Sequence, residues 1–306
     1  MRKFLKTIVG VLLVTLLFVF SCQKKSDTVK ETILKGKASI YVDESLMPIV
    51  EDEVAVFENE YDAKLHLVAK SETEVLNALI NDTAKIAVLT RALNAKEVKV
   101  FRTKKINPRV TPFASDAIAF IKNKSTNDTL IALQDVIDFM QGKEVKTIKG
   151  LVFDNPNSST VRYISEIAGV KVLPQKNVFS FKTNVEVIKY VSENDGMIGV
   201  VGINWLFQPS VATQTIVEKV NLLSVKDLKS SEFIYPSQDM IAAGKYPLAR
   251  VLYIVNCQGY SGLGMGFASF LGGERGQRII LKSGLVPIRF PTRKIITRNQ
   301  IIKELK

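Results

Sequence analysis

The sequence predicts an α/β protein with largely parallel sheets, and three observations predict it. Short apolar runs of strand length alternate with longer stretches of helical periodicity along most of the 306 residues. Serine, threonine and asparagine recur at the start of the helical stretches, where their side chains satisfy free backbone N–H groups. Hydrophobic residues make up 46% of the chain and charged residues 24%. That balance suits one or two domains with a large core and excludes a disordered, collagen-like or disulfide-stapled chain.

The first element stands outside that core. Arg2, Lys3 and Lys6 form a basic cluster, and the apolar run from Ile8 to Phe20 has the length of a signal-peptide core and is short for a bilayer span. Residues 1–21 therefore read as an export signal. Ser21-Cys22 resembles the end of a bacterial lipoprotein signal, with Val19 where leucine is usual and Phe20 bulkier than usual. The resemblance implies that Cys22 is acylated and holds an exported protein on the outer side of the cytoplasmic membrane or on the outer membrane, through membrane lipid. The alternative is an ordinary cleaved signal with an incidental cysteine. Cys257 is the only other cysteine. It closes an apolar strand-like run over 251–257 and reads as a packing residue, so no multi-cysteine metal site is expected.

Residues 22–36 are polar, with Lys24, Lys25, Asp27, Lys30, Glu31 and Lys35, and suit a tether. Folding is expected from Lys37: a strand over 38–42, a helix over 45–61 and a strand over 64–68. Ser71 with Glu74 forms a capping box that opens a helix through Ile80, and a buried strand follows over 86–89. Residues 112–121 form a long extended segment able to leave one sheet and enter another. A second series then begins, with a strand over 151–153, turn-and-cap chemistry over 155–160, and a helix over 161–168 stopped by Gly169. Residues 195–202 read as turn plus strand. The last segment, 292–306, holds five Lys or Arg and one acid and reads as a basic tail.

Few chemical constellations survive inspection. His66 is the only histidine and alternates with leucines in a strand, so it should face solvent, and no Ser-His-Asp set or zinc site can be built around it. Glu51-Asp52-Glu53 suggests paired carboxylates, but neighbours on a helix do not face one another, and acids near a helix start complement its dipole. Gly259, Gly262, Gly264 and Gly266 lack the spacing of a nucleotide loop, since Phe267 stands where a third glycine would be needed. They read as close helix packing or a flexible connection. The net charge of +12 favours anionic partners. The basic residues are dispersed, with no run longer than pairs such as Lys24-Lys25 and Lys104-Lys105, so nucleic acid is not expected. Hydroxyl-rich turns remain: Ser45, Thr90 beside Arg91, and Ser158-Ser159-Thr160. Simple N-capping accounts for each alone, but their recurrence at strand ends in both series suits a dehydrated pocket for a tetrahedral oxyanion.

These residues carry a resemblance that spans most of the chain. Residues 36–51, 86–93, 155–162, 196–202, 246–254 and 270–287 resemble the phosphate-binding protein of the phosphate-specific ABC transporter, most specifically in Gly276-Gln277, Ser283-Gly284 and Pro287. The resemblance implies a two-lobe periplasmic-binding-protein fold: lobe 1 from 37–115 and 248–291, lobe 2 from 116–247, crossings near 113–116 and 246–250, and an anion held in the cleft. By position, Ser45, Thr90, Arg91, Ser158, Ser159 and Thr160 would donate to phosphate. The family commonly has arginine where Asp154 stands and glycine where Ser159 stands, while Arg91 supplies a cation where some members place an aspartate. Acid and base would then have exchanged loops, with Arg91 pairing the anion and Asp154 or Asp43 accepting a phosphate proton. Asp154 could instead simply initiate its turn. The implied activity is capture of inorganic phosphate and delivery to a transporter permease, without covalent chemistry, cofactor or metal. Another oxyanion or small polar solute, or a surface or sensory module that contacts protein, are the alternatives.

Overall fold

The structure, a computed structural model, describes residues 31–292. The expected signal segment, Cys22 and the expected basic tail beyond Thr292 lie outside the described residues. The chain divides into Met1–Lys30 and a compact unit that begins at Glu31.

Strand β1 (Gly36–Asp43) passes through a 3-10 turn (Glu44–Leu46) into helix α1 (Met47–Glu60). β2 (Ala63–Lys70), α2 (Glu72–Ile80), β3 (Ile86–Leu89) and α3 (Ala95–Thr103) follow. The long β4 (Arg109–Asn123) leads to β5 (Leu130–Ala132), α4 (Leu133–Met140), β6 (Gly150–Phe153), α5 (Ser159–Ala168), β7 (Val178–Ser180), α6 (Asn184–Glu193) and β8 (Met197–Gly202). Short elements come next: α7 (Asn204–Phe207), α8 (Gln214–Val217), β9 (Val220–Leu222), β10 (Ser224–Lys226), β11 (Phe233–Ile234) and α9 (Gln238–Ala242). The chain returns in β12 (Ala249–Asn256) and ends with α10 (Leu263–Leu271), α11 (Glu274–Lys282) and β13 (Val286–Pro287).

One curled sheet has the order β2-β1-β3-β12-β4-β8-β6-β7, with β13 and β9 also paired to β4, and β11-β10-β5 form a second, small sheet. β1, β2 and β3 pair in parallel, as do β6, β7 and β8. The middle of the sheet departs from the expected parallel pattern, because β12 is antiparallel to both β3 and β4, and β4 to β8. The reason is topological: a chain that crosses from one lobe to the other and later returns must run in opposite directions at the seam. β4 makes the crossing itself. It pairs with β12 up to Ala117 and with β8 from Ile118 onward. Buried on both faces, residues 117–121 form a continuous apolar run that the buried Lys122 ends.

Local signals fixed most boundaries, with two shifts. The first helix begins at Met47 rather than Ser45, since Asp43 accepts from the Ser45 amide at 3.0 Å and tightens the entering turn. The helix of the second lobe begins at Ser159, with Ser158 as the cap that accepts from the Val161 amide at 3.3 Å. Local pattern predicts no helix at α3, α4, α6 to α9 or α11. α3 buries only Phe101, too little to show an apolar stripe.

The Gly276, Gln277, Ser283, Gly284 and Pro287 pattern is architectural. Buried Gln277 donates to the carbonyls of Phe113, at 2.8 Å, and Leu271, at 2.6 Å, and accepts from the Arg289 amide at 2.8 Å, so it clamps the start of the crossing strand. A side chain at Gly276 would run into the Leu271 backbone at 2.8 Å. Gly284 holds φ at +81°, a left-handed conformation that ends the helix and suits glycine. The glycines of α10 pack closely, as one sequence reading had it: a Cβ on Gly266 would overlap the Ile33 carbonyl. Nearby, the Glu31 carboxylate accepts from the Leu263 amide at 2.7 Å, Gln258 Nε2 at 2.8 Å and the Tyr260 hydroxyl at 3.0 Å.

Glu53 overturns the reading of its acidic run. Glu51 is exposed, but Glu53 is fully buried between Ile49 and Phe57, and neither of its oxygens has a hydrogen-bond partner among the described residues. Burial, with the Asp52 charge beside it, pushes its carboxyl up to about 9. The folded protein thus binds a proton that the unfolded chain releases near 4.5, the ordinary glutamate value. Stability is greatest below that value and declines as pH rises toward about 9, with a slope of at most about 1.4 kcal/mol per pH unit. Glu53→Gln is expected to remove that slope. Urea denaturation at several pH values checks it, and parallel curves for parent and variant would contradict it.

Candidate functional site

The C-terminal ends of β1, β3 and β6, the middle of β4 and the start of β12 converge on one buried polar cluster. Its centre is Arg250, which the β12–β4 register places opposite Asp116. The guanidinium is 1% exposed and the carboxylate 0%. Arg250 donates from Nε to Asp116 Oδ1 at 3.0 Å and from Nη2 to Oδ2 at 2.6 Å, a bidentate pair. Burial opposes the charge, but Asp116 holds the Arg250 pKa above its ordinary value. Nη1 donates to Ser159 Oγ at 3.2 Å, and Ser159 Oγ lies 3.2 Å from Ser45 Oγ. A cation from the seam thus bonds a hydroxyl of one lobe and, through it, is linked to a hydroxyl of the other.

The α5 entrance adds further polar groups. The Ser158 and Thr160 hydroxyls both donate to Asp154 and lie 2.8 Å from one another. Asp154 also accepts from Asn184 Nδ2 at 3.3 Å. The first N–H groups of a helix carry its positive end, and here that end faces buried hydroxyls. Burial raises the Asp154 pKa against the pull of Ser158 and Thr160. Asp43 caps the turn before α1 through Oδ1, while its Oδ2 has no hydrogen-bond partner among the described residues. Burial and the charge of Glu72 push Asp43 up to about 7, against the pull of Arg250. Glu44 accepts from the Asn184 amide at 3.1 Å and from its side chain, and burial carries it to about 8.

Glu72 organises the flank. Its carboxylate accepts from Thr90 Oγ1 at 3.1 Å, Arg91 Nε at 2.8 Å, and Arg162 through Nε at 2.8 Å and Nη2 at 3.2 Å. Arg91 also forks onto Glu97 at 2.9 and 2.8 Å. The guanidinium bonded to the hydroxyl cluster is therefore that of Arg250, while Arg91 is bonded to two carboxylates. Ser45–Ser159, Glu72–Arg162 and Glu44–Asn184 all join the lobe of β1–β3 to the lobe of β6–β8, as does Asn204 Nδ2 donating to the Ser45 carbonyl at 2.7 Å. Together they latch the lobes closed.

Of the residues singled out in the sequence, Ser45, Ser158, Ser159, Thr160, Asp154 and Asp43 fall in this cluster, and Thr90 and Arg91 stand at its edge. Sequence reasoning gave no role to Arg250, Asp116, Glu72, Arg162 or Asn184. Arg250 and Asp116 did lie in the two crossing segments that the resemblance implied. Their pairing across 134 positions depends on strand register, which no local signal carries. His66 is exposed, and no cluster of three or more metal-ligating side chains occurs among the described residues.

The chemistry available is a fixed buried guanidinium, convergent hydroxyls and a helix N-terminus, which together suit a tetrahedral oxyanion. The surrounding carboxylates suit an anion that carries a proton.

Comparison with known proteins agrees with the fold. A family profile described as PBP superfamily domain matches residues 27–275. The search of curated proteins gives no match. Among solved structures, one similar chain is a candidate phosphate ABC transporter substrate-binding protein with bound phosphate from Clostridium perfringens. It is 18% identical, with a TM-score of 0.70, over 83% of this chain and 100% of that one. An ABC-type phosphate transport receptor from Vibrio cholerae is 16% identical, with a TM-score of 0.62, over 82% and 100%. The Synechocystis CcmR regulatory domain in complex with 2-PG is 12% identical, with a TM-score of 0.53, over 78% and 96%. These are binding proteins and a regulatory domain, not enzymes.

Proposed function

The chain belongs to the PBP superfamily, and from that premise we propose that it is an extracytoplasmic receptor that captures phosphate between its lobes and delivers it to an ABC transporter. One observation carries the reading: a buried Arg250 bonds Ser159 at the N-terminus of α5, and Ser159 in turn meets Ser45 of the other lobe. An entering phosphate takes over the Ser45 and Ser159 hydroxyls, which otherwise bond to one another. Arg250 supplies the permanent charge, and Ser158, Thr160 and the first amides of α5 complete the shell. Thr90 and Arg91 support it through Glu72. Since the Glu72–Arg162 and Glu44–Asn184 contacts exist only when the lobes meet, they favour the closed state that the anion stabilises.

The carboxylates set the specificity. Asp154 accepts a proton from phosphate, whereas fully ionised sulfate offers none and would meet buried negative charge. Acylation of Cys22 places the receptor on the membrane surface that holds its transporter. Relatives of this fold also serve regulation, and a cleft that binds an anion without a transporter would favour a sensory role. The test is a calorimetric titration of the protein from Ser26 onward, stripped by reversible unfolding. Phosphate is expected to bind at micromolar concentration or tighter, with a heat that sulfate does not reproduce. Equal binding of both anions, or of neither, overturns the reading.

A further inference from the structure

A basic cavity lies at the far end of lobe 1. Lys85, Lys104, Lys105 and Arg109 line a cavity of about 560 Å³ with Asp82, Asn107 and Gln258. Lys85 immediately precedes β3, whose other end leads to Thr90, and Arg109 begins β4, seven residues before Asp116. At about 3.3 Å per residue the cavity is therefore roughly 20 Å from the phosphate cluster. Lys85 is paired with Asp82 at 2.5 Å, and Lys104 Nζ donates to the Ile80 carbonyl at 2.5 Å. Lys105 and Arg109 are exposed and have no side-chain partner among the described residues. Four cations thus face one carboxylate.

Two further observations converge here. Among the described residues, Asp82, Lys105 and Asn177 are the non-glycine positions with left-handed backbone, and the first two line this cavity, with φ of 63° and 58°. Lys105 follows the C-cap of α3, a position where glycine is easier, so the chain keeps a charge there against its conformational preference. The second observation is where the N-terminal segment joins. Gln258, part of the cavity lining, donates to Glu31, the first described residue. Eight residues separate Glu31 from Cys22, nine steps of chain and at most about 30 Å when extended.

We propose that this cavity binds the phosphodiester headgroup of an anionic membrane lipid, seating the base of lobe 1 on the bilayer with the cleft turned toward solvent. This inference rests on the membrane location proposed above but not on phosphate capture. Each Lys or Arg held near an anionic surface strengthens binding about fivefold, and only within a Debye length of about 8 Å, so a short tether is needed to exploit it.

The test is cosedimentation of the protein from Ser26 onward, which contains the whole compact unit, with vesicles of phosphatidylglycerol or phosphatidylcholine at about 0.15 M salt. Binding is expected to phosphatidylglycerol alone. The triple variant Lys104→Gln, Lys105→Gly and Arg109→Gln should lose it by roughly 100-fold, about fivefold for each charge. Neutralising the exposed Lys176, Lys189 and Lys219 of lobe 2 to glutamine gives the same net charge and should change it little. Equal losses in both triples would assign the binding to overall charge and overturn the site. So would a second calorimetric phosphate site that the first triple abolishes, without vesicle binding, because the occupant would then be free anion. Cleft titration of the first triple should match the parent. Vesicle binding without phosphate binding would sink the receptor reading alone, and the reverse would sink this one alone.

Discussion

Arg250→Met is expected to abolish phosphate binding and to destabilise the fold in the same step. The substitution removes the one cation bonded to the hydroxyl cluster among the described residues and leaves Asp116 as an uncompensated charge at 0% exposure. Breaking one side of such a buried pair costs about 3–5 kcal/mol, whereas replacing both partners by apolar groups can be nearly neutral. The double variant Arg250→Met with Asp116→Leu should therefore recover most of the stability and none of the binding. Thermal denaturation reads the first quantity and calorimetry the second. A double variant that binds phosphate within a few-fold of the parent would show that Arg250 serves the seam alone.

The second large effect is on pH. Asp43, carried to about 7 by burial and by Glu72, is protonated below that value and able to share its proton with a bound anion. Above it, a buried carboxylate faces the phosphate. Affinity should be highest below about pH 7 and fall by up to tenfold per pH unit above it. Asp43→Asn is expected to flatten this decline, which separates the side chain's contribution from the ionisation of phosphate itself. Asp154→Asn should weaken phosphate and admit sulfate, since it replaces an acceptor by a group indifferent to the anion's charge. If parent and Asp43→Asn show superimposable pH profiles, Asp43 does not take part. If Asp154→Asn leaves both anions unchanged, Asp154 serves only its turn.

The parts of this site that were legible in the sequence were those written in local chemistry. Ser45, Ser158, Ser159 and Thr160 announce themselves because capping residues at strand-to-helix turns have a positional signature. The alternation of strand and helix could be read for the same reason, since each period is set by neighbours. What could not be read was the seam. Nothing near Arg250 signals that it will lie opposite Asp116, and nothing near Glu72 signals that Arg162, 90 positions away, will close on it. Arg91 illustrates the converse: as a cation beside Thr90 it suits an anion site by position, yet Glu72 and Glu97 occupy its guanidinium. Glu53 was misplaced because an acidic triplet near a helix start is ordinarily solvated, and only the packing of α1 reveals that its third member turns inward.

The most direct test of the account is a crystal structure of the phosphate-loaded protein. The account predicts one phosphate between the lobes, within hydrogen-bond distance of Ser45, Ser159 and Arg250 and close to the α5 N-terminus, with Asp43 or Asp154 facing one of its oxygens. A phosphate bound elsewhere, or a cleft in which Ser45 and Ser159 remain bonded to each other at saturating phosphate, would contradict it.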